Sequence, residues 1–341
     1  MNEKSVFKTF AAFLLVLGII ATQASAAVIT VGSTGGENYT SIQEAINNAQ
    51  NGDTILVNPG VYKENVKVSK EVSIISNSAS ENQINRTYVL GAFSNEDVFS
   101  VNSSNVTISG FHISGGPSSG DLHEVGIYLE GVNNCSLVNN ALVLNDVGIV
   151  LNDSQRNYIK DNLVSIGYSG IILIDSEENE LSDNWLATNS EGILLNNSVN
   201  NSIFNNTASG NEIGIYLGMS GRNIINSNFI SKNDYGIIGK VAEYNTMFNN
   251  SLYQNGLGIY LNESSNNTIY QNEFSNFFDV LDEGTNIWNS SSSGNMWSNY
   301  TGEDANGDGI GDTPFVINET TGSTDYMPLV NEISSDNNSG T

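Results

Sequence analysis

Asp153 and Asp175 lie 22 residues apart, and so do Asp161 and Asp183. Carboxylates held about 5 Å apart can grip a hard cation or serve as the acid and nucleophile of a retaining glycosidase. Two exposed charges on a solvated face are the plain alternative. A second acidic pattern runs Asp304-x-Asn306-x-Asp308-Gly309-Ile310-Gly311-Asp312. Oxygens at loop positions 1, 3, 5 and 9, with the Ile310 carbonyl at 7, follow the spacing of a calcium loop. Phe315 stands where an EF-hand carries its bidentate Glu, so the alternatives are a shorter calcium loop and a solvated acidic turn. Calcium there would lock a C-terminal cap rather than catalyse. His123, flanked by Asp121 and Glu124, is the one plausible general base or metal ligand among two histidines; a surface histidine without a role is the alternative.

Whether the paired carboxylates meet depends on the element that carries them. Gly126, Gly148, Gly170, Gly192, Gly214, Gly236 and Gly258 recur every 22 residues, each followed by Ile. Asn140, Asn162, Asn184, Asn206, Asn228, Asn250 and Asn272 keep the same beat, and so do Asn157 to Asn267, with Cys135 in the first slot. Such a period means one unit stacked on copies of itself. The apolar runs are short and alternate with period two, which suits short strands between tight turns. The fold class expected is all-β: a parallel β-helix with about 22 residues per coil. Successive rungs about 4.8 Å apart would make seven coils a rod of roughly 34 Å, and would place Asp153 on Asp175.

Three inward ladders follow: Ile127 and its equivalents, Leu129 with its equivalents through Leu261, and Leu137 with its equivalents through Ile269. Ser154, Ser176, Ser198, Ser220 and Ser264 should stack at a tight corner. The asparagines are expected at turns, bonding along the stack and tolerating left-handed backbone. Beside each inward Ile runs an outward column from Tyr128 through Tyr216 to Tyr260, which would contact sugar or protein or lie beneath the chain itself.

Residues 1–26 read as a signal peptide, with Lys4 and Lys8 before an apolar stretch and Ala24-Ser25-Ala26 as cleavage site. Residues 27–124 would form an N-terminal cap and irregular first coils, 125–278 seven regular coils, 279–330 the irregular C-terminal cap, and 331–341 a disordered tail. Ser41-Ile42-Gln43-Glu44 offers a capping box for a short amphipathic helix over the first coil. Phe277, Phe278, Trp288, Trp297 and Tyr300 could plug the far end. No later apolar run is long enough to cross a membrane. Eleven Lys+Arg against 37 Asp+Glu give a net charge of −26, which disfavours nucleic acid and anionic lipid. The single cysteine excludes an internal disulfide. Sequons such as Asn38, Asn105, Asn152 and Asn299 fit an envelope glycoprotein, although asparagine-rich turns also generate them by chance.

The segment from Tyr39-Thr40-Ser41-Ile42-Gln43-Glu44-Ala45-Ile46 to Asn58-Pro59-Gly60-Val61-Tyr62 resembles the opening of secreted right-handed β-helix proteins of the pectin-lyase-like superfamily. With Gly294-Asn295-Met296-Trp297-Ser298-Asn299-Tyr300 and the Asp304 loop, the repeats look like its NosD-type branch, which includes periplasmic copper-maturation proteins and archaeal cell-surface proteins. The resemblance implies that fold over about residues 28–330, and it alone implies copper: two His, one Cys and scattered Met form no spaced ligand set. The Asp-Asp, Gly-His-Gly and Arg-x-Lys signatures of related hydrolases do not occur here. The expected function is a secreted, non-catalytic envelope protein binding carbohydrate or envelope partners. A polysaccharide lyase, hydrolase or epimerase is the alternative, and an accessory in copper-site maturation a weaker one.

Overall fold

A computed structural model describes residues 26–33, 35–78, 86–93, 95–115 and 124–330. The expected signal peptide up to Ser25, His123 and the tail from residue 331 lie outside the described residues. Each regular coil carries one six-residue strand and two three-residue strands. In the first these are Val125–Glu130, Ser136–Val138 and Ala141–Val143. Their repetition builds one wide sheet and two narrow sheets, with 10, 11 and 11 strands among the described residues. Neighbouring rungs pair in parallel without slippage: Ile127 faces Ile149, Ile149 faces Ile171, and Ile171 faces Ile193. The chain is a parallel β-helix.

The Ile127, Leu129 and Leu137 ladders are fully buried. A fourth inward ladder, Leu142, Val164, Leu186, Ala208, Ile230, Leu252 and Phe274, lies on the second narrow sheet. It explains the glycines of the wide sheet. A Cβ at Gly148 would sit 2.2 Å from Val164 Cγ1 and 2.6 Å from the Gly170 carbonyl oxygen. Close approach demands glycine there, not a left-handed backbone.

The asparagine ladders sit at the turns and bond along the stack as expected, but the left-handed backbone expected of them falls on the preceding residue. Asn157, Asn162 and their equivalents are buried, and the residue before each takes positive φ, as at Arg156 (55°) and Asp161 (54°). Each buried side chain spans rungs. Asn179 Oδ1 accepts from Asn157 N at 2.9 Å and Asn157 Nδ2 at 3.0 Å, while Asn179 Nδ2 donates to the Ser154 carbonyl at 2.9 Å. A third ladder, Asn189, Asn211, Asn233 and Asn255, does the same at the remaining corner. The serine stack is more than small: Ser176 Oγ accepts from Ser154 N and donates to the Ile174 carbonyl.

At the N-terminal end the helix Ile42–Asn48 buries Ile42, Ala45 and Ile46. Ser41 Oγ accepts from Glu44 N, but the other exposed amides are met by Glu64, which accepts from Ile42 N, Gln43 N and Ser41 Oγ. Lys70 donates to the Asn47 and Ala49 carbonyls at the other end, so both charges oppose the helix dipole. At the far end Trp288 and Trp297 are buried against Phe274, and Phe315 stacks on Trp297 at 4.5 Å. Phe277 and Phe278 do not plug the core; they form an exposed edge-to-face pair outside it. Buried Asp282 and Asp325 hold the cap, accepting from Trp288 Nε1 and Trp297 Nε1 respectively.

Asn201→Ala removes an acceptor for Asn179 and a donor to the Ser176 carbonyl. Each buried group left unpaired costs about 1–3 kcal/mol, so the denaturant midpoint should fall clearly. A surface control such as Asn226→Ala should leave it nearly unchanged.

Candidate functional site

The corner between the wide sheet and the first narrow sheet carries the first pair of carboxylates. Asp153 and Asp175 adopt left-handed backbone, φ 47° and 49°, which turns their N–H groups along the rod toward the Ile174 and Asn196 carbonyls. Their side chains therefore project outward, one rung apart. With Gln155, Glu177, Asn197 and Val199 they line a cavity of about 190 Å³, and Asn197 Nδ2 donates to Asp175 Oδ1. The trough continues along the same corner through Met219, Arg222, Val241, Glu243 and Tyr244, enclosing about 340 Å³. The Arg222 guanidinium lies 5.7 Å from the centre of the Tyr244 ring. Asp161 and Asp183 form a separate, exposed corner, where Lys160 Nζ lies 3.5 Å from Asp183 Oδ2.

The outward column of the wide sheet is half-buried rather than projecting, and Val150 within it is buried. Tyr128 Oη accepts from Asn152 Nδ2, and Tyr260 Oη donates to Glu283 while accepting from Asn262. Tyr216 differs. It shares a groove of about 470 Å³ with Leu194, Asn196, Gly218, Met219, Lys240 and Val241. Gly218 opens this groove: its register neighbour is Asn196, and a Cβ added to it would lie 2.9 Å from Tyr216 Cε1. Met219 and Val241, both exposed, form the ridge between groove and trough. Sequence reasoning missed this ridge. Its signal was the loss of polarity along one column, Asp153, Asp175, Asn197, Met219, Val241.

The Asp304 loop is closed by its own amides. Asp304 accepts from Gly307 N and Gly309 N, Asn306 from Asp308 N, Asp308 from Ile310 N, and Asp312 from Ala305 N. These bonds, led by the one from Gly309, hold the Asp304 carboxyl below the usual range. Among the described residues no group of three or more His, Cys, Asp or Glu gathers as a metal would require. The donors for copper do not fit it. His112 packs on Tyr88 at 5.1 Å, and burial lowers its basicity. Cys135 is buried, its thiol turned to the Ser103 and Asn133 carbonyls and its pKa pushed up to about 11 by burial.

The rod, its three parallel sheets and its asparagine ladders define a parallel β-solenoid. The model of the family described as periplasmic copper-binding protein (NosD) matches residues 46–165 and 104–302, and the chain belongs to that family. A cell surface glycoprotein of Methanothermus fervidus is 35% identical over 107 residues, which are 30% of this chain and 16% of that protein. Two solved structures share the fold. XylC in complex with xylose superposes with a TM-score of 0.62 at 10% identity, covering 79% of this chain and 74% of that one. Pectate lyase Pel9A gives 0.54 at 16%, covering 79% and 80%. Among the described residues no helix is long and apolar enough to cross a membrane.

A thiol this buried and this weakly acidic should resist reagents. Native protein at pH 8 should leave Cys135 unlabelled by Ellman's reagent over a time that fully labels the urea-denatured chain; equal rates would contradict the burial.

Proposed function

We propose that the protein is a non-catalytic component of the cell envelope that binds neutral carbohydrate along the face formed by the Asp153–Tyr244 trough and the Tyr216 groove. The observation that carries this reading is the groove itself. An aromatic ring, an apolar wall and the flanking polar groups of Asn196 and Lys240 offer stacking and hydrogen bonding together. The groove and the trough adjoin along the rod at the Met219–Val241 ridge, and that elongated face suits a linear glycan better than a small metabolite. The match to part of a cell surface glycoprotein and the family's periplasmic description support an envelope location. The net charge of −26 disfavours polyanionic glycans.

A carbohydrate-active enzyme is the second reading, and the cavity shared by Asp153 and Asp175 favours it. Asp175 would serve there as nucleophile or base. Calcium belongs to the same proposal only at the Asp304 loop, where Asp304, Asn306, Asp308, the Ile310 carbonyl and Asp312 would exchange amide hydrogen bonds for the ion. Donor type alone supports it. Neighbouring envelope proteins are a further class of partner for the sheet faces.

A glycan array and a turnover screen, each run with calcium and with chelator, test the proposal. Binding without product is expected, weakened at least tenfold by Tyr216→Ala and by Gly218→Asn, which fills the groove. New reducing ends or unsaturated sugars, lost in Asp175→Asn, would replace this reading with the enzymatic one.

A further inference from the structure

Glu124 and Asp146 occupy equivalent positions one coil apart, where the chain enters the first two regular strands of the wide sheet. Glu124 is 1% exposed, and neither of its carboxylate oxygens has a hydrogen-bond partner. Asp146 Oδ2 is likewise buried and unpartnered. In the regular coils the buried Asn and Ser side chains are bonded rung to rung, so three orphaned carboxylate oxygens at one corner depart from that pattern; Glu37 Oε2, in the N-terminal cap, is the other such oxygen among the described residues. Among the described residues no basic side chain pairs with them. Burial raises the Glu124 pKa, and the charge of Asp146 raises it further, so the pair repel when both are ionised.

The surroundings at this corner also depart from the repeat. Gly167 stands where the third asparagine ladder would place a side chain between Asn145 and Asn189, and the ladder is interrupted there. Across the corner lies Gly115, whose N–H donates to Asn145 Oδ1 at 2.7 Å. A point one Cβ bond out from Gly115 is 3.1 Å from Glu124 Oε2 and 3.6 Å from Asn145 Oδ1. The Glu124 carboxylate and the Asn145 amide oxygen thus lie on the same side of Gly115, with a second carboxylate one rung away.

We propose that Glu124 and Asp146, with Asn145 as a further oxygen donor, bind a divalent cation of the calcium class. Hard oxygen donors of mixed carboxylate and amide type suit that ion, with water completing its shell. It would cancel the repulsion and fasten Glu124 to the first regular coils. This site is separate from the Asp304 loop and from the glycan-binding face, so it does not depend on either.

Calorimetric titration of the full chain with CaCl₂ tests it in a background where Asp304→Asn, Asp308→Asn and Asp312→Asn have removed the carboxylates of the Asp304–Asp312 loop. One binding event is expected to remain in that background and to vanish when Glu124→Gln or Asp146→Asn is added. Melting in chelator gives the second readout. Glu124→Gln should melt higher than its parent at pH 7 without metal, and should lose the upward shift that calcium gives the parent. The sign follows from the raised pKa. Stability tied to protonated Glu124 is full below the unfolded value near 4.5 and is lost as pH rises through the folded one. Two results would overturn the proposal: an unchanged calcium event in both acidic-pair variants, or a parent stabilised by acid but indifferent to calcium, which would mean a shared proton instead.

Discussion

The rod depends on one recurring interaction, the side-chain amide of a buried asparagine bridging successive coils. At each corner the backbone must leave one sheet and enter the next, which strands N–H and C=O groups away from any ladder. Asn supplies a carbonyl and two N–H donors in the volume of a small side chain, so it accepts from one coil and donates along and back. Ser at the neighbouring position performs a smaller version. Because each amide needs the next, the arrangement favours identical residues at a constant spacing. The strict period is the consequence. Where the repeat is broken, as at Gly167 and Cys135, the bonding pattern changes at that rung.

The corners also decide what the surface presents. A residue with positive φ at each corner directs its N–H along the rod and its side chain into solvent. Its identity is then free to vary, since the backbone bond is made whatever the side chain. Asp153, Asp175, Asn197, Met219 and Val241 occupy one such column and turn from acidic to apolar along the rod. Several are poor residues for left-handed backbone, Val241 especially, since β-branched side chains crowd it. The backbone bond from Val241 N to the Asn262 carbonyl and the bond from Ala242 N to Ser264 Oγ beside it hold that geometry. Function can therefore be written on the corners without disturbing the interior.

Much of this was legible from residue order. The glycine, asparagine and serine periods implied a stacked unit, and the short alternating apolar runs implied strands. The wide-sheet core ladders and the first narrow sheet's ladder were assignable directly. The fourth ladder was harder to see, because Ala208 and Phe274 differ so much in size while filling the same column. The acidic pair at Asp153 and Asp175 was placed by arithmetic alone, as was the separate pair at Asp161 and Asp183. Their different surroundings, a cavity for one and a nearby lysine for the other, depend on side chains from neighbouring columns that the period does not relate.

By itself the sequence determined the repeat, the rung spacing and the identity of the stacked columns, because translational symmetry converts residue number into position. Only the tertiary structure decided which corner residues face one another across columns. It set Gly218 beneath Tyr216, turned the carboxylates of the Asp304 loop onto their own amides, and left both oxygens of Glu124 and one of Asp146 unpartnered at one corner. These outcomes depend on how side chains of unequal size share space at the rod's irregular rungs. A one-dimensional period carries no record of that.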